Sequence, residues 1–163
     1  MTRIQVAAAI LIHDDALLLV AQHFRGRDVW SLPGGVVEDG ETLLEGLQRE
    51  LAEETGLRPC GPVDLAHVTE LCTAGFRSLA HVFCVHDWEP SPHAPVADPD
   101  GEVLAWEFTP LPLARERLAA MPWPAMREPI LAHLDGSSTR FSSYEVLNPA
   151  GDPTSATRRH PRT

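Results

Sequence analysis

Glu50, Glu53 and Glu54 stand at spacings of three and four residues. On a helix such residues share one face, so the three carboxylates come within reach of a common point. Like charges so placed cost an isolated helix about 0.2–0.5 kcal/mol per pair. A hard divalent cation reverses that sign, and a set of oxygen donors alone selects magnesium or manganese over zinc. Three glutamates by themselves also describe an ordinary solvated helix face. The residues around them must decide.

The positioning element is predicted as a helix over Leu43–Thr55. Thr42 and Glu45 have the form of a capping box, Gly56 follows as a stop, and Leu44, Leu47 and Leu51 supply an apolar stripe for packing on a sheet. Before it, Trp30 leads into Pro33-Gly34-Gly35, read as a functional loop where regular structure is disfavoured and the backbone lies open to a ligand. Ile4–Ile12 and Leu17–Ala21 read as two strands paired in a hairpin through His13-Asp14-Asp15. Val63–Cys72 and Ser78–Trp88 read as a second hairpin turning at Thr73-Ala74-Gly75. Glu89–Gly101, with four prolines, reads as a surface loop and Glu102–Phe108 as a last strand. Helices are predicted near Leu113–Ala120 and Pro124–Leu134, and a mobile tail from Asn148 to Thr163.

The continuous stretch from Gly35 to Leu57 contains Gly35, Glu41 and then Arg49-Glu50-Leu51-Ala52-Glu53-Glu54-Thr55-Gly56-Leu57. It resembles the complete Nudix box, and Trp30-Ser31-Leu32-Pro33-Gly34 resembles the usual approach to it. The resemblance implies an α/β fold, a Nudix-type α/β/α sandwich with a mixed β-sheet, over a domain of residues 1–147 followed by a flexible tail, 148–163. It implies a divalent-metal-dependent hydrolase, with Mg2+ as cofactor and Mn2+ as substitute, that cleaves the pyrophosphate linkage of a nucleoside diphosphate derivative by water attack on phosphorus. Position by position, Glu50, Glu53 and Glu54 match metal-binding glutamates and the carbonyl of Gly34 a further ligand. Arg49 and Glu41 support the site. Glu53 and the loop acid Glu102 are the two candidates for the general base. Arg25, Arg27, Arg77 and Phe76 are candidate substrate contacts, and Phe24 and Trp30 are further aromatics that either stack on a base or pack in the core.

A net charge of −10 over 163 residues opposes an electrostatic grip on nucleic acid, so the partner expected is a small-molecule nucleotide. Cys60, Cys72 and Cys84 form no C-x-x-C pair and read as small buried apolar residues in a reducing compartment. The N-terminus lacks a signal-peptide pattern and no stretch is long and apolar enough for a membrane, so a cytoplasmic protein is expected; the resemblance also implies a homodimer. Thr73, Ala74 and Gly75, which follow the box at the position of subfamily signatures, offer neither the proline nor the tyrosine that marks two substrate groups. A nucleoside triphosphate and a nucleotide sugar both remain open. The competing class is a non-catalytic, nucleotide-sensing Nudix-like module, against which the intact acids count.

Overall fold

The computed structural model describes residues 1–92, 101, 103–148 and 150–160. Six strands form its main sheet: β1 (Thr2–Ile10), β5 (Gly34–Val36), β7 (Val63–Cys72), β8 (Phe76–Val85), β11 (Phe141–Glu145) and β12 (Thr157–Arg159). Their order is β12-β11-β7-β8-β1-β5. The pairs β1/β8 and β7/β11 are parallel and the others antiparallel, so the sheet is mixed. In a second sheet β3 (Ala16–Phe24) pairs with β2 (Ile12–His13), β4 (Arg27–Ser31) and β10 (Val103–Pro110). A short ribbon joins β6 (Leu57–Pro59) to β9 (Trp88–Pro90).

Helix α1 (Leu43–Thr55) lies on one side of these strands, and α2 (Leu111–Ala119) and α3 (Pro124–Leu134) lie on the other. Strand alternation sorts the side chains between the two layers. Ala7, Ala9, Leu11 and Leu18 pack with Leu47 and Leu51 of α1. Ile10, Leu17, Leu19 and Val82 pack with Ala114, Leu118 and Ile130 of the other helices. The result is the expected α/β/α sandwich. Among the described residues no helix is long and apolar enough to cross a membrane.

Several expectations are corrected. The two N-terminal runs do not form one hairpin. β1 pairs with β5 and β8, while only Ile12-His13 turns back on β3, through Asp14 and Asp15 at φ 47° and 58°. Leu11 is the passage between the sheets, its carbonyl accepting from the Leu18 N–H at 2.9 Å. β1 is apolar on both faces, which suits a central strand whose partners come from distant sequence. Gly34-Gly35 is not open loop either, since it forms β5 against Ala7 and Ala8. The apolar face of α1 uses Leu43, Leu47 and Leu51, four residues apart, and leaves Leu44 exposed. Cys60 is exposed rather than buried, and Cys72 and Cys84 are half-buried. The expected tail is paired structure at least in part: Asp152 caps a 3-10 turn over Pro153–Ser155, Ala156 is buried, and β12 adds to β11. Ala156 reaches the Tyr144–Val146 cluster, which a count of large apolar residues does not reveal.

On the α3 side, His67 is buried with its Nδ1 unpartnered among the described residues, its ring 6.2 Å from that of His133. Burial, followed by the nearby His133, lowers its pKa to about 4 from the ordinary 6.5. The folded state therefore holds His67 neutral where the unfolded chain takes up a proton. That contribution is complete above pH 6.5 and is lost as pH falls towards 4. Urea titrations across this window should show stability falling by on the order of 2 kcal/mol, and His67→Leu should flatten the slope. An unchanged slope in the variant refutes the assignment.

Candidate active site

The helix that carries the acids is held at both ends by the residues that predict it. The Glu45 N–H donates to Thr42 Oγ1 at 3.2 Å, and the Thr42 N–H donates to Glu45 Oε2 at 2.7 Å. Gly56, at φ 72°, stops the helix with its N–H on the Ala52 carbonyl at 2.9 Å. Leu47 and Leu51 face the sheet and set the rotation of α1, which turns Glu50 and Glu54 towards β5.

Arg49 binds the acids together. Its Nε donates to Glu41 Oε1 at 2.7 Å and its Nη2 to Glu41 Oε2 at 3.1 Å, a two-pronged grip that an ammonium cannot make. Nη1 donates to Glu50 Oε1 at 2.8 Å and Glu53 Oε2 at 3.2 Å, and Nη2 also reaches the Val36 carbonyl at 2.9 Å. Bonds from Glu41 foremost, then Glu50, hold the guanidinium charged far beyond any working pH. Arg49, with help from the Glu38 N–H at 2.9 Å, in turn holds the Glu41 carboxyl below the usual range. Arg49 thus links Glu41, Glu50 and Glu53 through one guanidinium.

Glycines make the close approach possible. Gly34 donates its N–H to Glu54 Oε2 at 2.7 Å and adopts φ 147°, where a Cβ would stand 2.3 Å from the Ala7 carbonyl oxygen. At Gly35 a Cβ would fall 2.5 Å from the Glu50 carboxyl carbon. Sequence reasoning missed Gly46 inside α1, where a Cβ would meet Val37 at 3.0 Å and Glu41 Oε2 at 3.3 Å. A mid-helix glycine costs about 1 kcal/mol relative to alanine, and that cost was the available signal of a close neighbour. The Val36 carbonyl, a main-chain partner, left no signal.

The candidate substrate residues are dispersed. Arg77 is exposed on β8, with its Nε 3.4 Å from Glu70 Oε1, and Phe76 begins the same strand. Arg25 occupies the β3–β4 turn at φ 49°, and both it and Arg27 lend positive charge to Asp152. Phe24 packs edge-on to Trp123, and the Arg117 guanidinium covers the Trp30 ring at 3.9 Å, so both aromatics are engaged within the fold. His81 is half-buried and its Nδ1 has no partner among the described residues. Glu102 lies outside the described residues. Among those described, no three His, Cys, Asp or Glu side chains already stand as a set of ligands, because Glu50 and Glu53 turn to Arg49 and Glu54 to Gly34.

A family model described as the NUDIX domain matches residues 3–132. The chain belongs to the Nudix family. Nudix hydrolase 6 of Arabidopsis thaliana is 33% identical over 130 residues, covering 77% of this chain but only 44% of its own length. The chain thus spans less than half of that relative. A MutT-like protein of Streptomyces ambofaciens is 31% identical over 150 residues, covering 91% of this chain and 88% of its own. The crystal structure of a MutT protein from Bacillus halodurans superposes with a TM-score of 0.69 at 22% identity, covering 95% and 97% of the two chains.

In this Nudix chain the donor chemistry fits a hard divalent cation. Glu50, Glu53 and Glu54 offer only oxygen, they share one helix face, and the bare Gly35 leaves the space that the Glu50 carboxylate occupies. Gly35→Ala should therefore displace Glu50 and lower kcat/KM at least tenfold while moving Tm by only a few degrees. Arg49→Lys should lower activity as well, since it keeps the charge and loses the grip on Glu41. Activity assays beside thermal melts check both, and full activity in Gly35→Ala overturns the placement of Glu50.

Proposed function

We propose that the chain is a divalent-metal-dependent hydrolase cleaving the pyrophosphate linkage of a nucleoside diphosphate derivative by attack of water on phosphorus. The observation that carries this reading is the single guanidinium of Arg49 joining Glu41, from the segment before α1, to Glu50 and Glu53 on the helix whose Glu54 is tied to Gly34. A plain acidic surface needs no such bracing. The family supports it, since its members include a relative named as a hydrolase.

Glu50, Glu53 and Glu54 would hold the cation, magnesium with manganese as substitute, and the Gly34 carbonyl is a further donor in the proposal. When bound, such a cation polarises phosphoryl oxygens and offsets charge on the leaving phosphate. The protein's own part is positional. Arg49 orients Glu53, and a Glu53 carboxylate oxygen accepts the proton as water attacks. Glu102 is the rival for that role. A substrate neutral in its base and sugar preference fits the reading: nucleoside triphosphates and nucleotide sugars both present the linkage. Arg77 and Phe76, next to one another on β8, are the proposed contacts on the sheet, and Arg25 and Arg27 the proposed contacts at the hairpin. The three free cysteines suit a reducing, cytoplasmic setting.

Glu53→Gln and Glu54→Gln should each lower turnover at least about 100-fold, equivalent to roughly 2.7 kcal/mol of barrier, with the fold retained. Near-normal hydrolysis by both would remove the site assignment. A phosphate-release screen over nucleotide derivatives should show turnover with magnesium or manganese, none with chelator, and no rescue by calcium. A folded protein that binds nucleotides and hydrolyses none would instead support the sensing module. If Glu102 is the base, Glu102→Gln lowers kcat far more than it alters KM and flattens the acidic limb of the pH profile. If Glu53 is the base, that variant loses less than about tenfold, roughly 1.4 kcal/mol.

A further inference from the structure

The face of the sheet turned away from the carboxylates carries a second group of residues with metal-binding chemistry. Cys84 packs with the core under α2 and α3, and its Sγ lies 3.7 Å from His133 Nε2 in the last turn of α3. His67 on β7 stands beside them, its ring centroid 6.2 Å from that of His133. At the same end Asp64 faces Cys84 across the ladder, and His86 Nε2 lies 2.9 Å from Asp64 Oδ2. A thiol, three imidazoles and a carboxylate thus gather from two strands, the end of one of them, and a helix. None belongs to the helix that bears Glu50, Glu53 and Glu54.

A β-bulge brings His67 to this group. The β7–β8 register steps from Leu65 opposite Phe83 to His67 opposite Val82, so Ala66 is an extra residue. Without it His67 would share the face of Leu65 and Phe83, on the α1 side. With it the ring turns to the side where Val82 packs with the other helices. Bulges interrupt the ladder and re-aim a side chain, often next to a functional site. The side chain re-aimed here is 97% buried, at 3% exposure, and its Nδ1 has no hydrogen-bond partner among the described residues. Packing alone would favour an apolar residue at such a place, because a buried polar atom left unpaired is destabilising. An electron-pair acceptor removes that penalty.

The spacing suits a tetrahedral ion. Zinc binds sulfur at about 2.3 Å and imidazole nitrogen at about 2.0–2.1 Å, so two such ligands stand about 3.5 Å apart. Cys84 Sγ and His133 Nε2 already have nearly that separation. Two imidazoles on one zinc have ring centroids about 5 Å apart, so His67 and His133 complete the set by approaching about 1 Å. That remaining step is why the three do not already stand as a closed ligand set. Beside Cys84 and His133 lies a cavity of about 350 Å³, lined also by Ala66, Ser138 and Arg140, with room for the ion's entry and a fourth, water ligand. Arg140 is exposed, so water screens its opposing charge, while Asp64 and the C-terminal dipole of α3 favour a cation.

We propose that Cys84, His133 and His67 form a binding site for a borderline transition-metal dication, zinc foremost, which clamps α3 to β7 and β8. Sulfur and imidazole select such an ion over magnesium, so this site and the carboxylates take different cations. As the ion binds, Cys84 releases its thiol proton to solvent and a sulfur–metal bond replaces the S–H bond, with no change of oxidation state. The site stands independently of the pyrophosphohydrolase reading.

The test uses the reduced full chain, with excess magnesium to fill the carboxylate site and cobalt(II) as a coloured substitute for zinc. Cobalt on a thiolate gives a near-ultraviolet sulfur-to-metal charge-transfer band that oxygen ligands do not give. The wild type should show that band at about one cobalt per chain, zinc should abolish it by competition, and zinc should raise Tm by several degrees. Cys84→Ser, a near-isosteric change that spares the fold, should remove the band, while Cys60→Ser, Cys72→Ser and Glu53→Gln keep it. His133→Gln and His67→Leu should each weaken cobalt binding at least about tenfold. No band in the wild type, a band that survives Cys84→Ser, or full affinity in either histidine variant overturns the site.

Discussion

Mutual repulsion among carboxylates on one face of α1 is the constraint to which the rest of this structure answers. Glu50 and Glu53 converge on a single guanidinium, and Glu41 is drawn in from the preceding segment to fill its remaining donors. Because Arg49 also reaches the Val36 carbonyl, the charge balance of the helix and the placement of β5 are one problem with one solution. The partly screened setting, with these side chains about one-fifth exposed, makes the bonds matter more than a surface pair would.

The glycines follow from that demand. Charges can be gathered only if the backbone comes close, and at Gly34 and Gly35 the approach excludes even a methyl group. β1 supplies the other half of the answer. Its small residues Ala7 and Ala8 face the two glycines across the ladder, so that a thin strip of backbone lies under the acids. The leucines of α1 hold this arrangement from the opposite side of the helix.

Much of this was legible before the structure, and the limits are physical. Thr42, Glu45 and Gly56 act on bonds within a few residues of themselves, so the ends of α1 could be read from sequence. The spacing of Glu50, Glu53 and Glu54 likewise fixed a shared face, while their actual partners, a guanidinium and a backbone N–H, depend on a loop and a strand brought in by tertiary packing. Leu43 and Leu44, being adjacent, satisfy helical spacing almost equally, and only the angle of docking separates them. Strand partners were the weakest part. The alternation in β1 shows two apolar faces but cannot name β8, some seventy positions away, as its neighbour. β11 and β12 are short and polar, and their place depends on an edge already built by β7.

That last dependence sets an order of assembly. Ser143 meets Glu70 across 73 positions of sequence, and a parallel pairing of such span pays its loop-closure entropy before it gains any contact. α1, by contrast, rests on local capping and on β1, which precedes it in the chain. During synthesis from the N-terminus, the acid-bearing half has its partners long before the final strands emerge. The last edge of the sheet is thus the last part to close, and an interrupted chain would carry the carboxylate helix on an unfinished floor.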